Sequence, residues 1–159
     1  MSIILARIDD RLIHGQVTEG WGKVIAPKSI LVVSDTVSLS DWECELCLAA
    51  LPSYIGGKIV KLDEAVEAIN KLDSDQVPSY VLFESPKDAF EVIKNGAHIS
   101  ELNVGGMHSS KDKREVLDYI YVDDDDTFYL QALRDLGVKL DFRDLPGHND
   151  VDVLTLLNK

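Results

Sequence analysis

Residues 2–25 read SIILARIDDRLIHGQVTEGWGKVI, and this stretch decides the fold. Residues 2–7 are an apolar run of strand length, rich in isoleucine. Residues 15–25 then place Val17, Trp21, Val24 and Ile25 on one face of a helix. A polar loop joins the two. A buried strand that passes through a short loop into an amphipathic helix is half of a crossover, and a parallel partner strand completes it.

The rest of the chain supplies such partners in alternation. Residues 29–33 (SILVV) are a second buried strand. Ser40 or Asp41 caps a helix that runs to Leu51 and stops at Pro52, with Trp42, Leu46, Ala49 and Ala50 at helical spacing. A short strand at 58–61 precedes a helix around 63–72. Residues 79–83 (SYVLF) form the next strand, and 86–95 a helix that opens on proline and closes at Gly96. A strand at 99–104 leads into Gly105 and Gly106, which read as a tight turn. Residues 117–122 read as one partly polar strand, 123–136 as a helix ended by Gly137, 138–142 as a last strand, and 150–157 as a short terminal helix. No repeat or linker interrupts residues 1–159. The expectation is one α/β domain, three-layered α/β/α and Rossmann-like, with a mostly parallel twisted sheet and helices on both faces.

Charge narrows the partners. Sixteen Lys and Arg against 28 Asp and Glu leave a net charge of −12 at pH 7. Without a basic stripe, such a chain repels nucleic acid and anionic lipid. An anionic ligand must then be held locally, by backbone amides and one or two arginines. No apolar run approaches the roughly 18 residues that span a bilayer, and MSIILARIDD lacks the regions of a signal peptide. A soluble, cytosolic protein is expected.

Ligands of parallel sheets sit outside the carboxyl ends of the strands. That rule selects the loops at residues 9–15, 34–36, 84–85, 103–108 and 143–148. The first is the informative one: Arg7-Ile8-Asp9-Asp10-Arg11-Leu12-Ile13-His14-Gly15-Gln16-Val17. It opens into a helix, whose free N-terminal amides suit an anion. Gly15 lets that backbone approach the anion without a Cβ in the way. His14 offers a neutral imidazole as nucleophile near pH 7. Arg11, three residues before it, brings a planar fork of donors for phosphoryl oxygens. Asp9 and Asp10 are both candidates to fix the ring tautomer or orient Arg11, and spacing does not choose between them. The loop is neither a Walker loop nor G-x-G-x-x-G, so no nucleotide or other cofactor is implied. Two other function classes compete at this point: a flavodoxin-like small-molecule or nucleotide module, and an interaction protein in which His14 is structural.

The remaining candidates are weaker. Gly105, Gly106 and His108, on either side of Met107, could line the same crevice. His148 reads as a surface position that touches a partner, and His98 as an exposed turn residue. Asp123–Asp126 suit a helix start through capping and the helix dipole, and no metal is assigned to them. Cys44 and Cys47 fall within one helix, which suits neither a redox pair at a helix start nor a zinc site, so half-buried thiols are expected.

The run RIDDRLIHGQV resembles the active-site segment of enzyme IIB components of the mannose/fructose/sorbose family of the bacterial sugar phosphotransferase system (PTS). The likeness continues through ILVVSD, LNVGGMHSSKDK, the acidic helix start and LRDLGVKLDFRDLP, in the family's order. The resemblance implies a protein-Nπ-phosphohistidine–sugar phosphotransferase. His14 would take phosphoryl from a phosphorylated IIA partner and deliver it to a sugar at the membrane subunits IIC and IID. Arg11 matches the family's phosphoryl-binding arginine. Nδ1 is the nitrogen the family phosphorylates, opposite to the Nε2 of IIA. The resemblance also implies a cytoplasmic place beside the inner membrane face. Mannose, fructose, sorbose, N-acetylgalactosamine and self-association all stay open.

Overall fold

The computed structural model describes residues 2–157. Of its eight strands, six are parallel: β1 (Ile3–Asp9), β2 (Ser29–Val33), β3 (Gly56–Val60), β4 (Ser79–Phe83), β5 (Glu101–Gly106) and β8 (Lys139–Asp141). They lie in the order β3-β2-β4-β1-β5-β8. The other two, β6 (Arg114–Leu117) and β7 (Ile120–Val122), form an antiparallel hairpin.

Alternation along the strands divides the core into two layers. Leu31, Val33, Val81 and Phe83 face the layer of α4 (Leu62–Ser74), α5 (Pro86–Lys94) and α6 (Asp124–Asp135). Ile30, Val32, Tyr80 and Leu82 face the opposite layer, which holds the helix after β1 and α3 (Asp41–Ala49). Both faces of these strands are covered, which is why SILVV and SYVLF are apolar without a break. The three-layer α/β/α arrangement is as expected. β1 departs from the pattern in a way that matters. Ala6 and Ile8 join the first layer, whereas Arg7 and Asp9, on the second face, are completely buried polar residues.

The chain leaves β1 toward β2 on one side of the sheet, while β5 leads to β8 on the other. Their carboxyl ends therefore flank a topological switch point, where open α/β sheets bind ligands.

Four local expectations need correction. Residues 15–25 are not one regular helix: Gln16–Trp21 is π-helical and only α1 (Gly22–Ile25) is α-helical. The Gly22 amide reaches back five residues to the Val17 carbonyl. Glycines make room for this wide turn, since a Cβ at Gly20 would stand 2.7 Å from Leu145 Cδ2 and one at Gly22 3.1 Å from the Val17 oxygen. Trp21 pins the turn, its ring N–H donating to the Asp144 carbonyl (2.8 Å) and its carbonyl accepting from the Tyr80 hydroxyl (2.6 Å). Residues 117–122 are not one strand: Leu117 ends β6, Asp118 and Tyr119 make the turn, and Ile120–Val122 returns as β7, with the Tyr119 hydroxyl donating to the Phe142 carbonyl. A short helix, α2 (Asp35–Ser38), capped by Ser34, precedes α3 and was not anticipated. Finally, Gly105 and Gly106 are the end of β5 and not a turn. The chain closes its described part with α7 (Val153–Leu157), inside the expected terminal helix.

Candidate active site

β1 delivers Asp9 to the carboxyl edge of the sheet, and the loop beyond it folds back over that carboxylate. The Leu12 amide donates to the Asp9 carbonyl (2.9 Å), and Leu12 takes a left-handed φ of 58°. Burial of Leu12 and Ile13 in the second layer holds this conformation, which costs a branched residue free energy. With those two side chains drawn inward, Arg11 and His14 project over Asp9.

Donors converge on the Asp9 carboxylate from three side chains. Arg7 Nη2 lies 2.8 Å from Oδ2, Arg11 Nη2 3.0 Å from Oδ2 and Arg11 Nε 3.1 Å from Oδ1. His14 Nε2 lies 2.8 Å from Oδ2. Burial pushes the Asp9 carboxyl up, but the hydrogen bonds from His14 and Arg11 and the charge of Arg7 outweigh it. The result is a carboxyl held well below the usual range, so Asp9 is ionised. An ionised carboxylate only accepts, so the His14 proton resides on Nε2. Nδ1 then carries a lone pair, and it receives the Gln16 amide at 3.3 Å. Only 16% of the His14 side chain is exposed, against 36% for Arg11.

Beneath this pair sits Arg7, which is wholly buried. Its Nη1 donates to Asn103 Oδ1 (2.6 Å) and to the Asp144 carbonyl (3.0 Å), and its Nη2 also reaches Gln16 Oε1 (3.3 Å). Asn103 donates onward to the Asp141 and Arg143 carbonyls. The guanidinium lies across β5, which explains the two glycines. A Cβ at Gly105 would fall 1.9 Å from Arg7 Cζ, and one at Gly106 2.7 Å from Asp9 Oδ1. Close approach of side chains is the reason for Gly105-Gly106. At Gly15, by contrast, a Cβ would meet nothing within 4 Å, so the space beside the histidine is open.

A family model, the PTS system sorbose subfamily IIB component, matches residues 3–159. The fructose-specific EIIB component of Bacillus subtilis is 36% identical, with 99% of this chain and 96% of that protein covered. The solved IIBSor domain of the sorbose permease from Klebsiella pneumoniae has a TM-score of 0.92 at 34% identity, covering 99% and 97%. The N-acetylgalactosamine-specific IIB component 1 of Escherichia coli gives 0.86 at 29%, covering 93% and 97%.

The chain belongs to the sorbose subfamily of PTS IIB components. Its reaction class is therefore phosphoryl transfer within a sugar phosphotransferase system. The names of those three relatives carry three different sugars.

The other histidines of this IIB component are placed as follows. His108 adjoins the loop but faces Asp10: its ring and its amide (2.7 Å) both bond that carboxylate. Asp10 thus ties the end of β5 to the loop, and Asp9 alone bonds His14. His148 is exposed and paired with Asp144 (2.6 Å), and His98 is exposed ahead of β5. Asp123 caps α6 in a reciprocal pair with Asp126. Cys44 and Cys47 are free and half-buried. α3 reaches the loop, because the Ile13 amide faces the Cys47 sulfur.

Arg7, Gln16 and Asn103 were not singled out by sequence. The signal was present in two of them: an arginine and an asparagine inside otherwise apolar strands, at paired register positions.

Proposed function

We propose that His14 accepts phosphoryl on Nδ1 from a phosphohistidine of a IIA protein and passes it to a sugar hydroxyl presented by IIC and IID. The observation that carries this reading is the 2.8 Å bond from His14 Nε2 to the ionised Asp9, which leaves Nδ1 as the nucleophilic nitrogen. In the first step the nitrogen–phosphorus bond of the donor breaks as His14 Nδ1 bonds phosphorus. The ring keeps its Nε2 proton and becomes cationic, and Asp9 meets that charge at no cost in reorganisation. In the second step the Nδ1–phosphorus bond breaks as a sugar oxygen bonds phosphorus. The hydroxyl proton leaves to a base outside this chain, and the ring returns to neutral.

Arg11 keeps Nε and Nη2 on Asp9 and Gln16, and its Nη1 has no partner among the described residues, so that nitrogen would serve a phosphoryl oxygen. The Gln16 amide, already aimed at Nδ1, supplies a second donor, and Gly15 leaves room beside it. Positioning and charge stabilisation are what such a transfer asks of a protein. In this reading IIB works at the cytoplasmic face of the membrane, and the membrane subunits choose the sugar. Among the described residues no helix is long and apolar enough to cross a membrane.

The test is incubation with phosphoenolpyruvate, the general PTS proteins and IIA, followed by nitrogen-15 NMR. Acid-labile phosphate on Nδ1 of His14 is expected, and none on His14→Ala. Label on His108, or on Nε2 of His14, overturns the site as described. Arg11→Gln should slow transfer about a hundredfold, the scale for one lost charge-stabilising donor. Arg11→Lys should recover part of that, since an ammonium lacks the fork.

A further inference from the structure

The helical spacing of Trp42, Leu46, Ala49 and Ala50 marks an apolar stripe that the core does not use. α3 buries none of its residues fully, and its inner face is Cys44, Cys47 and Leu48. The stripe faces outward: Trp42 is 70% exposed and Leu46 60%, and Tyr54, just beyond the helix, is 78% exposed. Leu39, between α2 and α3, is also exposed. Exposed apolar surface collected on one helix face, with a Trp in it, marks a protein contact.

The segment that carries the stripe has one sign of charge. No Lys, Arg or His occurs from Ser29 to Gly57, while Asp35, Asp41, Glu43 and Glu45 all do. Among the described residues, none of these four acids is in an ion pair. Two bases border it: Lys23, near Tyr54, is held by Glu19 at 2.8 Å, and Lys61 adjoins Leu62, whose amide donates to Asp35. The stripe is also coupled to the site, because Cys47 on the inner face of α3 meets the Ile13 amide, next to His14.

We infer that this stripe docks on the cytoplasmic loops of the membrane subunits IIC and IID, an inference that rests on the phosphocarrier reading above. The argument is complementarity. Cytoplasmic loops of membrane proteins carry an excess of Lys and Arg, which matches an acid-rimmed apolar stripe. A second copy of this chain would bring −12 against −12, and an anionic lipid surface would be repelled as well. Only a basic protein surface satisfies both the rim and the apolar centre.

The experiment separates the two half-reactions. Trp42→Ser with Leu46→Ser alters exposed positions and leaves the His14 network untouched. Phosphorylation of the double variant by IIA should equal that of the parent protein. In sugar phosphorylation by vesicles carrying IIC and IID, the KM for phosphorylated IIB should rise about tenfold or more, as for loss of an aromatic anchor. Glu43→Lys with Glu45→Lys should raise it too, and the parent's KM should rise with salt. The Trp42 emission should shift to the blue with those vesicles and stay put with vesicles of the same lipid alone. A defect in the IIA step, an unchanged KM, or a shift with lipid alone each overturns the assignment. Failure of His14 to label at all would instead remove the phosphocarrier reading beneath it.

Discussion

At the residue scale, the site depends on keeping one buried carboxylate charged. Burial alone would push Asp9 toward its neutral form, and a neutral Asp9 could neither fix the His14 proton on Nε2 nor meet a ring cation. Arg7 prevents this from below and Arg11 from the side. Because the folded pKa of Asp9 lies below its unfolded one, the network contributes stability at neutral pH and surrenders it only as acid protonates the carboxylate. Removing Arg7 leaves part of that charge uncompensated in the interior. Arg7→Met is expected to cost about 3 kcal/mol in urea unfolding, in line with broken buried ion pairs. Gly105→Ala should act in the same direction, because its methyl group would occupy the guanidinium's place. Wild-type stability for both variants would mean that the arginine is not where the structure puts it.

At the element scale, the sequence periodicities located nearly every strand and helix, and their failures share a cause. A π-turn holds one more residue than an α-turn, so Val17 and Trp21 stay buried while Val24, expected on the same face, is exposed, and spacing alone does not show this. A hairpin with short arms looks like one longer strand. α3 had the opposite problem: its apolar residues at helical spacing pointed to a helix, but spacing cannot say whether that stripe faces the core or solvent. The same helix brings Cys47 close to the loop. Burial pushes its thiol up despite the Ile13 amide, so no thiolate is prepared there. Cys44 gives its thiol proton to the Val37 carbonyl (3.2 Å). A Cys44→Ser, Cys47→Ser variant should therefore retain phosphoryl transfer in the IIA assay. A large loss of rate with an unchanged unfolding midpoint would refute that expectation and give the thiols a chemical part.

At the scale of the whole molecule, the acids at the carboxyl edge of the sheet have unequal partners. Over β1 and β8 arginines pair with Asp9 and Asp141, while over β2 and β4 Asp35, Glu84 and Asp88 stand without an ion pair among the described residues. Burial, with the charges of Glu84 and Asp35, pushes the Asp88 carboxyl up to about 6. The folded protein then holds a proton on Asp88 that the unfolded chain, near 3.8, has released. Stability from this group is present below about pH 4 and falls as pH rises through about 6. Asp88→Asn should raise the melting temperature at pH 7 and flatten its decline between those values. Calorimetry that finds equal profiles for the two proteins would reject this.

The sequence by itself determined the α/β class, the succession of strands and helices, and the loop in which His14 and Arg11 stand. Those are local properties, carried by side-chain periodicity and by residues a few positions apart. Tertiary structure decided what depends on distant chain or on direction. Asp9 rather than Asp10 meets His14 because Asp9 is the last inward-facing residue of β1, and the next residue points the other way. Arg7 became part of the site through Asn103, 96 residues along the chain. Gly105 and Gly106 are read correctly only once Arg7 and Asp9 lie across them. A sequence records which residues can share a face, but the packing of β1 against β5 settles which groups meet there.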